Sequence, residues 1–197
     1  LFWRENLEFI ERFVIGIFLA AGTTGILSYY IGLIGLNIKY HSFILPLISA
    51  NTFFASLFVT TMFMAFTALL IRKFGAVTLF YLVGSIITIN INNISDLGFY
   101  KIPILLTAGI IFELFFILLK IEIKNIPLDV VLGAAVSNFS IPFTMALFIG
   151  VTKELMPVVW NFALMLFIIG IMASIVTFLI WYNIKGSKPI IKFMYAI

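Results

Sequence analysis

Apolar runs of about 18 or more residues, free of charged side chains, follow one another along nearly the whole chain. A bilayer core takes about 20 apolar residues per helical crossing. Inside it, every backbone N–H and C=O must be satisfied within the protein, which favours helices. Charged residues make up 10% of the 197, against about a quarter in soluble domains. No polar stretch is long enough to build a soluble unit. The expected fold is therefore all-α: one polytopic membrane domain over residues 1–197, a bundle of six transmembrane helices.

Loop signals set the spans at about 13–35, 52–71, 75–91, 102–120, 128–151 and 156–182. Arg72 and Lys73 end the second, and Gly75 starts the third. Pro127 and Pro157 fall where the fifth and sixth helices open, in the favoured first turn. The apolar stretch 42–71 is too long for one upright span. Pro46 and the polar Ser49, Asn51 and Thr52 break its first third, so 42–50 reads as an outer-face loop or short re-entrant piece. Residues 1–12 form a charged amphipathic approach. Glu5, Glu8 and Glu11 outnumber Arg4 and Arg12 there, the wrong flank for a signal peptide.

Six spans put both termini on one side. That side holds Arg4, Arg12, Arg72, Lys73, Lys120, Lys124, Lys185, Lys188 and Lys192; the other holds Lys39, Lys101 and Lys153. Nine against three is a positive-inside bias, which makes both termini cytoplasmic in a multi-pass cell-membrane protein. The net charge of +4 thus belongs to membrane topology and tail contacts with anionic lipid, not to nucleic acid.

Glu113, near the middle of the fourth span, is the group that needs explaining. A carboxylate at that depth costs roughly 2–3 kcal/mol or more on insertion scales. Gly109, Glu113, Phe116 and Lys120 share one helical face, which the other helices are expected to surround. The acid either meets a ligand or serves as a structural acid between helices. In the fifth span Pro142 frees the carbonyl of Asn138, at the level of that residue's own amide. In the sixth, Asn161 offers a polar side chain, while Trp160 is interfacial belt or a stacking wall for a flat ligand. Asn90 belongs to a polar cluster at the outer mouth, as a ligand contact or a solvated cap. At 1.5 Å per residue these groups mark a path open to the outside and closed on the cytoplasmic side. Small residues at every fourth position of the first span, Gly16, Ala20, Thr24, Ser28 and Gly32, allow close helix approach. They serve internal packing or the docking of a partner. Ala163, Phe167, Gly170, Ser174 and Thr177 make a second such stripe.

Enzyme chemistry is missing from the pattern. His41 is the single histidine, Asp96 and Asp129 are the two aspartates, and cysteine is absent. That set gives no metal centre, no nucleophile–base pair and no phosphate-cradling loop, and calls for no cofactor.

Two motifs carry a family resemblance. Leu70-Ile71-Arg72-Lys73-Phe74-Gly75-Ala76 resembles the "R-K-P-G-A" opening of the third helix, with Phe74 for proline, and Gly109-Ile110-Ile111-Phe112-Glu113-Leu114-Phe115-Phe116 resembles the "G-x-x-x-E-L-x-F" of the fourth helix, in the substrate-binding S components of energy-coupling-factor (ECF) vitamin transporters. The subgroup handling thiamine or its hydroxymethylpyrimidine precursor is the most similar. The resemblance implies a membrane subunit that captures a small vitamin-like molecule at the outer face. Its partners would be an ECF T subunit, docked on the first-span stripe, and two ATP-binding cassette ATPases. It also implies that Glu113 binds a cationic or amino-bearing ring, with the loop near 40–46 as lid. The alternative is a structural or assembly subunit of a larger membrane complex with no ligand of its own.

Overall fold

The computed structural model describes residues 45–71, 74–91, 98–119, 122–123, 126–188 and 190–191. The side chains at 45–53, 55–56, 71, 87–91, 98, 117, 122–126 and 149 fall outside the description. Five long helices lie among the described residues: α1 (Leu45–Ile71), α2 (Ala76–Ile91), α3 (Lys101–Leu119), α4 (Leu128–Ile149) and α5 (Met156–Ile184). Among the described residues, the regular structure is otherwise helical apart from a two-residue antiparallel ladder, β1 (Glu122–Ile123) with β2 (Ile126–Pro127), between α3 and α4. Their ends lie close to the last five spans expected from the sequence, save for the start of α1. The first expected span, with Gly16, Ala20, Thr24, Ser28 and Gly32, lies outside the described residues.

One boundary is corrected. The helix α1 starts at Leu45 and continues unbroken to Ile71, so 45–50 is neither a loop nor a separate re-entrant piece. Pro46 falls in the first turn of that helix, where its missing N–H has no intrahelical partner to lose. A smaller shift concerns Pro127, which is the N-cap of α4 rather than its first residue.

Cross-helix contacts fix the directions. Ser137 of α4 meets Ala108 of α3, and Gly133 meets Phe112, so α3 and α4 are antiparallel. The pairs Glu113 with Val77 and Gly109 with Tyr81 make α2 and α3 antiparallel as well. Between α1 and α5 the contacts Phe54–Phe162, Met62–Thr177 and Phe66–Trp181 advance together, so these two helices are parallel. Chain direction therefore alternates from helix to helix. The turn at Phe74 and Gly75, the β hairpin and the end of α5 share one end, called here the hairpin end. At the other end Tyr100 lies against Phe148, and α4 stops at Gly150, whose left-handed φ of 73° allows its N–H to cap the Ala146 carbonyl.

Small residues set the spacing. A Cβ on Gly170 would lie 2.7 Å from the Ala134 carbonyl oxygen, and one on Gly109 would lie 2.9 Å from the Thr78 Cα. Backbones at such range leave room for hydrogen only. The stripe read in the sixth span is the buried face of α5, with Ala163, Gly170, Ser174 and Thr177 turned inward. Met64, Phe80, Phe112 and Leu166 fill the centre. The opposite face of α5 exposes Leu164, Met165, Ile168, Met172, Ile175 and Leu179. Among the described residues, two helical stretches, Leu128–Phe148 and Lys153–Ile184, are long and apolar enough to cross a membrane.

Candidate functional site

Two groups of buried polar atoms lie inside the bundle, about one helical turn apart along α3. The first is the junction of Glu113 with the start of α2. A helix leaves its first N–H groups without intrahelical partners, and an N-cap side chain normally accepts one of them. Here the capping position is Gly75, whose carbonyl accepts the first helical bond from Leu79 N–H at 3.0 Å. Its φ of 94° is a conformation that glycine holds without strain, but glycine brings no side-chain oxygen. The missing acceptor comes from another helix. Oε1 of Glu113 receives the N–H groups of Val77 and Thr78, each at 3.0 Å. Those are the second and third residues of α2, and the side chain is 2% exposed.

The acid is thus held between two helices by backbone donors. Glu113 shares its face with Gly109 as expected, and that face is turned to α2. Its carboxylate sits at the positive end of the α2 dipole, where negative charge is favoured. The acid lies six residues, about 9 Å, before the end of α3, toward the hairpin end.

The second group is a belt across the bundle. Ser137 Oγ donates to the Ala108 carbonyl at 2.8 Å. Asn138, fully buried, donates from Nδ2 to Thr61 Oγ1 at 2.9 Å, and Thr61 passes its own proton to the Leu57 carbonyl at 2.7 Å. Beyond Thr61, the Thr177 hydroxyl is shared between the carbonyls of Ala173 (2.8 Å) and Met62 (3.2 Å). On the α2 side, Thr78 and Tyr81 face Gly109. The Tyr81 hydroxyl lies toward Ser137, whose oxygen gives its proton to Ala108 and keeps lone pairs able to accept one. All five helices contribute.

Unlike the capping junction, the belt is incompletely bonded. Asn138 Oδ1, Tyr81 Oη and Thr78 Oγ1 are buried and have no hydrogen-bond partner. A buried polar atom left so costs about 1–3 kcal/mol, and most such atoms in folded proteins find protein or water. The helix carrying Asn138 continues past Pro142 to Ile149. Hydroxyls on either side return protons to its backbone: Ser140 to the Ser137 carbonyl at 2.7 Å, and Thr144 to those of Ser140 and Ile141.

The remaining sequence candidates do not join either group. Trp160 is half exposed, and its ring packs edge-on against Phe143 and Phe139, with centroids 5.0 and 5.8 Å away. Asn161 is exposed on the first turns of α5. The side chain of Asn90 lies outside the described residues. Among the described side chains, polar contacts run across the helices at the level of Asn138, and Asn161 takes no part in them. The sequence reading passed over Thr61, Thr78 and Tyr81. Thr78, Tyr81 and Ser85 stand at i, i+3 and i+7, a polar line on one side of α2 that could have disclosed them. Among the described residues, no three His, Cys, Asp or Glu side chains come together as a metal site.

Comparison with family models, characterised proteins and solved structures returns no match for this chain. The chemistry of the site is therefore argued from its own geometry.

Proposed function

We propose that this chain is a multi-pass membrane protein that captures a small organic molecule within its helical bundle, as the substrate-binding subunit of an ATP-driven importer of the ECF type. The observation carrying the reading is the buried, unpartnered carbonyl oxygen of Asn138, in a belt to which every described helix contributes. Membrane residence is supported by the outer face of α5, which carries Leu, Met and Ile with no charged residue from Met156 to Ile184. A patch of that size facing water would drive association, whereas lipid accepts it. The alternating helix directions suit six spans with both termini in the cytoplasm, the side favoured by the lysine and arginine bias. In this role Asn138 anchors the captured molecule, and Glu113 serves only to cap α2.

A second reading has its own observation. The capping of α2 by Glu113 gives the intramembrane acid a purely structural task, as expected of an assembly subunit with no ligand. Affinity purification of the tagged chain from its own cells, in mild detergent, separates the two. Recovery of a T subunit with two ATP-binding cassette ATPases is the expected result. Stable recovery of respiratory or secretion proteins without ATPases rejects the importer and leaves the assembly subunit.

A further inference from the structure

We infer that the belt recognises an uncharged group through a hydrogen bond donated to Asn138 Oδ1, and that the captured molecule is therefore neutral rather than cationic. The inference rests on the capture reading above and reverses the charge class implied by the family resemblance.

Its first support is the orientation of the Asn138 amide. Thr61 Oγ1 gives its one proton to the Leu57 carbonyl at 2.7 Å, so toward Asn138 it only accepts. The amide must then present Nδ2 to Thr61, as observed at 2.9 Å, and Oδ1 away from it. That oxygen is an acceptor with no other capacity, so its missing partner is a donor. Tyr81 Oη and Thr78 Oγ1 are likewise open and both give and take protons. Each suits a hydroxyl, amino or lactam N–H group, or a resident water that such a group displaces.

The second support is the placement of charge. A cation buried at this level requires a counter-charge. The buried acids among the described residues are Glu113 and Asp129. Oε1 of Glu113 takes two N–H groups at the positive end of α2. Asp129 Oδ1 accepts the Val130 N–H at the start of α4, nine residues and about 13 Å along that helix from Asn138. Asp129 lies away from the belt, and Glu113 meets it only at Thr78, through an Oε1 already committed to two backbone N–H groups; the belt's own described members are hydroxyls, one amide and backbone carbonyls.

The test compares the full chain and its variants, purified from the membranes of its own cells and denatured, with the released small molecule identified and quantified by mass spectrometry. An uncharged molecule is expected. Its occupancy should fall at least tenfold in Asn138→Leu and change less than threefold in Glu113→Gln. Tyr81→Phe, which removes a hydroxyl without a partner, should also lower occupancy; it serves as the readout if Asn138→Leu does not fold. A permanently cationic molecule, or occupancy lost in Glu113→Gln and kept in both belt variants, overturns the neutral class while leaving capture intact. Release of no small molecule from the wild-type chain ends the capture reading and this inference together.

Discussion

The two buried polar regions differ in how completely they are bonded. At the capping junction, an acidic side chain meets two backbone donors whose need is created by the fold itself, because Gly75 brings no side chain to cap α2. One turn away, the neutral side chains of Asn138 and Tyr81 are buried as deeply, and Oγ1 of the half-buried Thr78 is enclosed as well, with one atom of each unpartnered. The acid is the more costly group to bury, yet it is the one with protein partners. Cost of burial alone therefore does not identify a site; the bonding left over does. If the contrast is real, disturbing the junction should cost stability, and disturbing the belt should cost binding.

The largest effect is expected at Glu113. Replacement by leucine leaves the Val77 and Thr78 N–H groups buried without acceptors, at about 1–3 kcal/mol each. Unfolding in detergent, followed thermally or by denaturant, should show a loss of about 3 kcal/mol. Glu113→Gln keeps a carbonyl oxygen for the same donors and forgoes only the charge-assisted part, about 1 kcal/mol. Equal losses in the two variants would mean that the charge, not the capping bonds, matters.

Gly109 ties the two regions together, since it lets α2 lie against α3 beside Thr78 and Tyr81. A methyl group there meets the Thr78 Cα at 2.9 Å and the Tyr81 ring at 3.2 Å, the first being backbone that cannot swing aside. Gly109→Ala should cost about 1–3 kcal/mol as an overpacked contact and weaken binding as well, because both ends of the α2–α3 seam move. A variant that loses stability but binds as the wild type would separate the belt from this seam.

The helices were legible in the sequence because apolar run length and charged turns fix spans directly. Even the inward stripe of α5 followed from its small residues. Pro46 misled, since a proline signals a break only in a helix interior, and run length alone does not show where the interior begins. For Glu113, spacing identified the face but not its partner. An acid on an apolar helix reads the same whether it awaits a ligand or caps a helix more than thirty residues away in sequence. The clue was Gly75, an N-cap without a side chain. Asn138 stood out as a lone amide in an apolar helix, whereas Tyr81 was masked among aromatics whose burial needs no explanation until a hydroxyl is found unbonded.

The smallest expected effect on stability is the most discriminating. Asn138→Leu is nearly volume-conserving and removes the amide bond to Thr61, worth about 1 kcal/mol. It also removes the unpartnered Oδ1, whose burial carries a penalty of similar size or larger. Thr61 keeps its bond to the Leu57 carbonyl, so no new buried donor is left open. Stability in the absence of any bound molecule should therefore shift by no more than about 1 kcal/mol, and a slight gain is consistent with the balance. A residue selected for packing alone would not be expected to tolerate its own loss in this way. If unfolding in detergent shows Asn138→Leu destabilised as severely as Glu113→Leu, then Asn138 is a structural amide satisfied by water, and the contrast between the two regions collapses.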